Sequence, residues 1–346
     1  MRRCYFSKNY KGLGNGGNKA KTDMEKIMDG LGFVNVGAKQ TLHHSNIKGY
    51  LLTLGGVFRS VFAIRKGDIL VMQYPLKKYY SFICRIAHLK GAKVITLIHD
   101  LGSFRRKKLT KDKERKRLSN TDYIIALSPR MKDWLINDGY TQPIGILEVW
   151  DYLADRQPRE RTLQNPLEIL YAGVLSAKKH SFIYKFDKTM KPGNYNFTIY
   201  GGGFNQDDIV HKDRFDNKGF MESDDIISTT TGHFGMVWYG HSVDKIDGAY
   251  GEWLQLTIPH KTSLYVRCHM PVIVWSKAAQ ASFVRQHGIG ICLDSLEELD
   301  SKLASLTVEE YNAMKNNTIK LSKQLSEGYY FTQAYLEAEK YLIGEK

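Results

Sequence analysis

Lys261, Thr262 and Ser263 stand where a helix starts, inside the stretch TIPHKTSLYVRCHMPVIVW from Thr257 to Trp275. Pro259 and His260 read as the loop before the helix and Met270-Pro271 as its end, with Val272 to Trp275 following as a buried strand. The first turn of a helix has unpaired amides and the positive end of the macrodipole. A lysine and two hydroxyls placed there suit an anion, phosphate above all. The same three residues also suit a capped core helix with a solvated lysine, so the surroundings must decide.

Other chemistry-bearing residues sit at comparable places. Asn15, Gly16, Gly17 and Asn18 belong to a glycine-rich loop, Lys11 to Lys19, between a first strand (Arg3 to Ser7) and a helix with Met24, Ile27, Met28 and Leu31 at helical spacing. Glycines let backbone approach a ligand, although the loop is neither GxGxxG nor GxxxxGK[ST], and a flexible turn reads equally well. His99 and Asp100 end the apolar run AKVITLIH. Lys178 and Lys179 follow the run LEILYA, Tyr200 precedes Gly201-Gly202-Gly203, and Tyr239 precedes Gly240. The four cysteines, Cys4, Cys84, Cys268 and Cys292, form no CxxC pair and no zinc module with histidine, so reduced, buried thiols and no metal are expected.

These residues need a scaffold to bring them together. A chain of 346 residues, 42% hydrophobic and 25% charged, is long enough for two soluble domains, and its apolar runs are strand-sized. No run has the length of a membrane span, and the basic Met1-Arg2-Arg3 leads into no signal-like apolar region, so the expectation is a cytoplasmic protein. In the first half, helical patterns at Ile47 to Ile64, Lys77 to Lys90 and Pro129 to Asn137 alternate with buried runs at Asp68 to Gln73, Ala92 to His99, Tyr123 to Leu127 and Ile144 to Val149. That alternation predicts a parallel sheet covered on both faces. The polar stretch Asp151 to Pro166 reads as a linker. Beyond it Leu167 to Ala172, Phe197 to Tyr200, His233 to Tyr239, Pro271 to Trp275 and Gly290 to Leu293 form a second α/β sheet. Strands that meet glycine or polar residues at their carboxyl ends present the edge where open α/β sheets bind ligands. The predicted organisation is a Rossmann-like domain over residues 1–155, a second over 156–327, and a closing helix over 328–346.

Charge adds one more feature. The net charge is +14, and nine basic residues between Arg105 and Arg117 against Asp112 and Glu114 supply +7 of it. Such a run is most often a solvated face, and otherwise suits an anionic membrane, nucleic acid or an acidic protein.

Two doubly wound domains with a closing C-terminal helix resemble the GT-B glycosyltransferase architecture, two Rossmann-like domains facing a cleft. YAGVL at Tyr171 to Leu175, YGGG at Tyr200 to Gly203, GMVWYG at Gly235 to Gly240 and PHKTSLYVRCHMPVIVW at Pro259 to Trp275 carry a narrower resemblance. With GGNKAK at Gly16 to Lys21 and IHDLGSFR at Ile98 to Arg105, they are similar to the bacterial glucosyltransferases that extend O-linked GlcNAc on serine-rich-repeat adhesins, and to related galactofuranosyltransferases. The E-x7-E motif of the commonest retaining enzymes is absent, so the resemblance fixes no stereochemical outcome.

The resemblance implies a metal-independent hexosyltransferase with no cofactor, moving glucose from UDP-glucose to a GlcNAc-modified protein. His260, Lys261, Thr262 and Ser263 would meet the diphosphate, with Lys178 or Lys179 as a second cation. Tyr200 and Tyr239 would contact base or ribose, or else pack in the core, and Asn15 to Asn18 would reach the donor from the first domain. Asp100 and His99 become candidates for the general base or acceptor binding, against a plain strand-end cap. The resemblance also implies a homo-oligomer such as a tetramer, to which the largely aromatic stripe of Tyr329, Tyr330, Phe331, Tyr335, Leu336, Tyr341 and Leu342 would contribute unless the first domain covers every one of these side chains. Three other readings stay open. One is a hexosyl- or galactofuranosyltransferase using a lipid-linked acceptor; another is a UDP-sugar epimerase, which shares the architecture but needs several acidic and histidine groups around the donor sugar that the C-terminal half of this sequence does not assemble. The third is a nucleic-acid-binding protein using residues 105–117, which lack interleaved aromatics, so nucleic acid is not expected as a partner and membrane contact at most peripheral.

Overall fold

The computed structural model describes residues 1–10, 12, 16–76, 79–104, 107–178, 180–190 and 194–344. Two compact units divide the chain. The first comprises Met1–Asp151 with Glu327–Lys346, and the second Tyr152–Ser326.

The first unit runs β1 (Arg3–Tyr5), α1 (Gly16–Gly30), β2 (Val34–Asn35), α2 (Asn46–Ala63), β3 (Ile69–Tyr74), α3 (Tyr80–Leu89), β4 (Lys93–Ile98), α4 (Lys111–Leu118), β5 (Tyr123–Ala126), α5 (Pro129–Asn137) and β6 (Ile144–Ile146). Its six-stranded sheet has the order β2-β1-β3-β4-β5-β6, all parallel. All six residues of β3 and the last five of β4 are buried, because helices cover both faces of a parallel sheet. Each aliphatic side chain so buried contributes roughly 1.5–3 kcal/mol. Ser45, Thr110 and Ser128 cap α2, α4 and α5 by accepting the amides of Lys48, Lys113 and Met131.

The second unit runs β7 (Leu167–Ala172), α6 (Phe182–Thr189), β8 (Tyr195–Tyr200), β9 (Phe215–Gly219), α7 (Ser223–Thr229), β10 (Phe234–Val237), α8 (Gly248–Leu254), α9 (His260–Arg267), β11 (Val272–Trp275), α10 (Gln280–His287), β12 (Gly290–Leu293), α11 (Leu299–Ala304) and α12 (Val308–Ser326). Its sheet, again all parallel, has the order β12-β11-β10-β7-β8-β9.

The last helix, α13 (Tyr329–Ile343), belongs to the first unit. Asp151 accepts the amides of Tyr330 (3.1 Å) and Phe331 (2.6 Å) in its first turn, while burial pushes the carboxyl up to about 7. Arg3 pairs with Glu339, which also accepts the Tyr335 hydroxyl at 2.7 Å. The aromatic stripe therefore divides. Tyr330, Phe331 and Tyr335 are core, with Tyr335 edge-on to Phe33 at 4.7 Å, and only Tyr329 and Tyr341 are exposed. Tyr335, one of the side chains offered for an interface between copies, is instead packed within its own unit. All four cysteines are free thiols; Cys4, Cys84 and Cys268 are buried and Cys292 is partly exposed. Among the described residues no helix is long and apolar enough to cross a membrane.

Candidate functional site

In the second unit the strand order reverses at β7, which lies between β10 and β8. A crevice opens outside the carboxyl ends of the strands at such a switch point, where helices on the two sides run to opposite faces. Three loops and one helix start meet there. Gly173 donates its amide to the Tyr200 carbonyl at 2.7 Å and Leu175 donates to Gly202 at 3.1 Å, which zips the loops after β7 and β8 together. That approach requires glycine. Gly201 has φ +137°, and a Cβ there would lie 2.1 Å from the Gly173 carbonyl oxygen.

Lys261, in the first turn of α9, reaches over this floor. Its Nζ lies 4.0 Å from the centre of the Tyr171 ring and 4.4 Å from that of Tyr239, and a Cβ added at Gly173 would sit 3.3 Å from it. The rings are held in turn. Tyr171 donates its hydroxyl to the Trp238 carbonyl at 3.1 Å, and Tyr239 stacks on Tyr250 at 5.9 Å. Burial lowers the Lys261 ammonium to about 7, and among the described residues no carboxylate pairs with it. Ring faces attract a cation without neutralising it, so this half-buried lysine is set to receive an anion.

His180 closes the rim. It accepts the Gly240 amide at Nδ1 (3.1 Å), which puts the proton of the neutral ring on Nε2, and it lies against Tyr239 and Tyr250 at 5.4 and 5.0 Å. His260 stacks on Tyr152 at 4.9 Å. Thr262 and Ser263 are placed differently from expectation. Both side chains are buried, and the Thr262 hydroxyl donates to Gln280 at 2.6 Å, so α9 offers a ligand its lysine and first-turn backbone in place of those hydroxyls. Tyr200 is buried at the end of β8, while Tyr239 is half-buried. Lys178 is exposed in the loop after β7, and Lys179 lies outside the described residues. Sequence reasoning misses Tyr171, His180 and Tyr250 as site residues: Tyr171 opens the YAGVL motif but reads as part of a buried strand, and no local pattern marks His180 or Tyr250.

In the first unit the order reverses between β1 and β3, and the glycine-rich loop follows β1. Asn15 lies outside the described residues, α1 begins at Gly16-Gly17, and Asn18 donates to the Gly12 carbonyl at 2.8 Å. Behind the loop, Glu25 accepts hydrogen bonds from Ser7, Tyr10 and Gln40 at 2.6, 2.5 and 2.8 Å.

His99 and Asp100 follow β4. Gln73 donates its amide nitrogen to the Lys21 carbonyl, which turns its oxygen toward His99 Nε2 at 2.7 Å. His99 therefore carries its proton on Nε2, and its ring stacks on Trp150 at 4.5 Å. Asp100 accepts the Leu101 amide at 3.1 Å. The next turn is fixed by buried Glu114 of α4, which accepts the amides of Gly102 and Ser103 and the hydroxyls of Ser103 and Tyr74. Part of the basic run is paired, Lys111 with Asp138 and Arg115 with Asp112 and Asp138, and Arg105 and Arg106 lie outside the described residues.

Comparison with known proteins places this arrangement. The N-terminal domain of the glucosyltransferase 3-like family matches residues 3–149 and its C-terminal domain residues 169–338. The chain is similar to beta-1,6-galactofuranosyltransferase WbbI of Escherichia coli (strain K12), 31% identical over 267 residues, covering 76% of this chain and 77% of that protein. It is also similar to glucosyltransferase 3 of Streptococcus gordonii, 26% identical over 331 residues, covering 92% of each. Among solved structures, the apo form of the lipopolysaccharide outer core galactosyltransferase WaaB superposes with a TM-score of 0.59 over 98% of this chain and 100% of that one, at 14% identity. The fold is that of GT-B glycosyltransferases.

Proposed function

The chain belongs to the glucosyltransferase 3-like family and is a glycosyltransferase, and from that premise we propose that it transfers a hexose, glucose first, from a UDP-sugar to O-linked GlcNAc on a serine-rich glycoprotein. The observation that carries the donor assignment is Lys261, held between Tyr171 and Tyr239 at the switch point of the second sheet. Transfer breaks the bond between the anomeric carbon and the diphosphate oxygen and forms one to an acceptor hydroxyl. Negative charge grows on the departing UDP. A lysine ammonium and the amides of a helix start, already in place, stabilise that charge as it develops without reorganisation. Binding the diphosphate returns Lys261 to its protonated form, and the enzyme works without a metal ion. Tyr239 contacts the base or ribose.

Asp100 is the proposed base that takes the acceptor proton, with His99, fixed in one tautomer by Gln73, binding the acceptor beside it. Asn15 to Asn18 and Lys178 or Lys179 complete the donor contacts in this reading. The enzyme acts in the cytoplasm as a homo-oligomer.

The 31% identity to a galactofuranosyltransferase favours a second reading for the acceptor side, in which a hexose or galactofuranose passes to a lipid-linked glycan. The two are separated by offering the purified protein a GlcNAc-serine peptide and a lipid-linked GlcNAc, each with UDP-glucose and UDP-galactofuranose. Addition of one hexose to the peptide supports the first reading. Addition only to the lipid-linked sugar replaces it with the second.

A further inference from the structure

Helix α2 is built the wrong way round for a helix that faces water. It packs on its own unit through small residues. A Cβ at Gly49 would lie 2.5 Å from the Asn9 side-chain nitrogen and one at Gly56 would lie 2.4 Å from the Ala38 amide nitrogen, and Val57 and Ser60 complete the buried side. The bulky apolar residues point outward. Ile47 is 74% exposed, Leu51 58%, Phe58 62% and Phe62 82%, and their spacing sets them in one stripe along the helix. Tyr50 and Leu52 extend the patch. Helix α3 lies alongside, with Lys90 just after it donating to the carbonyl of Ile64 just after α2 (2.9 Å), and it adds exposed Phe82 and Leu89.

Charge says what covers this face. Residues 30–99 contain ten lysines and arginines and a single acidic residue, Asp68, which is buried and paired with Arg2 at 2.6 Å. Along α2 itself Lys48 and Arg59 run down one edge of the stripe, with Arg65 and Lys66 just beyond its end. An antiparallel pairing of this face in two copies would set Lys48 and Arg59 of one against those of the other, with no exposed acidic residue of segment 30–99 to meet them. A surface of phosphates with apolar chains beneath satisfies both the stripe and its edge.

We propose that α2 docks this protein on an anionic lipid bilayer. Ile47, Leu51, Phe58 and Phe62 enter the boundary between headgroups and acyl chains, and Lys48, Arg59, Arg65 and Lys66 meet lipid phosphates. The helix is held along its other side by its own unit, so it lies in the plane of the interface and does not span it. This inference is independent of which sugar and acceptor the enzyme uses, and its test needs no turnover.

The test uses the full chain and vesicles of phosphatidylglycerol with phosphatidylcholine, against vesicles of phosphatidylcholine alone, in a sedimentation assay. Binding to the anionic vesicles is expected to be about tenfold tighter or more, and to weaken as salt is raised. Ile47→Ser with Phe62→Ser is expected to reduce it by about tenfold or more. A Phe62→Trp variant, which keeps the surface apolar, is expected to show indole emission quenched by brominated lipid beyond that of the native tryptophans, and it serves if the double variant does not fold. Absence of vesicle binding, or unchanged binding in a folded double variant with no added quenching at position 62, overturns the proposal. An oligomer that ignores vesicles and dissociates on Ile47→Ser with Phe62→Ser also overturns it and assigns the stripe to a second copy.

Discussion

Lys261 makes the account quantitative, because its ammonium is lowered to about 7 when no ligand is present. A diphosphate between Tyr171 and Tyr239 would hold the lysine in its charged form, so binding takes up a proton wherever the free enzyme has lost one. The sign follows from the direction of that change. The site's pKa is low in the free state and high in the complex, so affinity is greatest below about 7 and falls as pH rises above it. A charge-assisted contact worth roughly 1.5–3 kcal/mol raises the lysine to about 8–9 in the complex, while the competent fraction of free enzyme drops from about one half at pH 7 to about one hundredth at pH 9. UDP affinity should therefore weaken about 6- to 30-fold over that interval, or ~1–2 kcal/mol. Calorimetric titration from pH 7 to 9 measures it, above the ~6 at which a terminal phosphate itself titrates. Lys261→Met should bind UDP about tenfold or more weakly at pH 7, the loss of a charge-assisted contact worth roughly 1.5–3 kcal/mol, and should show no such slope. The same variant should be the more heat-stable protein without ligand. A lysine depressed by folding destabilises most below about 7, and the penalty fades as pH rises toward 10.5, so the gap in Tm should close over that range. A flat pH dependence of wild-type UDP affinity between 7 and 9, or the same slope in Lys261→Met, would refute the assignment.

Other outcomes can be checked separately. Asp100→Asn should keep UDP affinity and lower turnover by about 10²–10⁴, and full activity would leave Asp100 as a strand-end residue. Asp151→Ala removes the acceptor for the Tyr330 and Phe331 amides, so α13 should loosen by about 1–2 kcal/mol; limited proteolysis near Glu327 should speed up while UDP affinity stays constant. Transfer should survive EDTA, and a loss restored by manganese would move the charge stabilisation from Lys261 to a metal.

How far sequence reaches here depends on what decides each element. The runs ILVMQY of β3 and LEILYA of β7 announce themselves because a parallel strand covered on both faces must be apolar throughout. The edge strand β9, FDNKG, does not. Only its Phe215 is fully buried, and its pairing is imposed by β8. Helix α2 was legible as a helix, but the usual expectation that its apolar stripe faces the core points the wrong way, since Gly49, Gly56 and Ser60 make the contact. At the site, the helix start at Lys261 was visible in Pro259 and the residues after it. That Tyr171, ninety residues earlier, forms its wall depends on the strand order of the second sheet, which local pattern does not encode. Thr262 shows the converse. Its type and position suited a ligand, and Gln280, across β11, took its hydroxyl.

The central claim is that this chain transfers a hexose from a UDP-sugar, and donor turnover tests it most directly. The purified protein is incubated with UDP-glucose, UDP-galactose, UDP-galactofuranose, GDP-mannose and CMP-sialic acid, and nucleotide release is followed with and without a GlcNAc-serine peptide. Slow release of UDP from one UDP-hexose, accelerated by the peptide as it gains one hexose, is the predicted result. Release from a GDP- or CMP-sugar in place of every UDP-sugar, or no release from any donor by protein shown to be folded and supplied with peptide or lipid-linked acceptor, would contradict it.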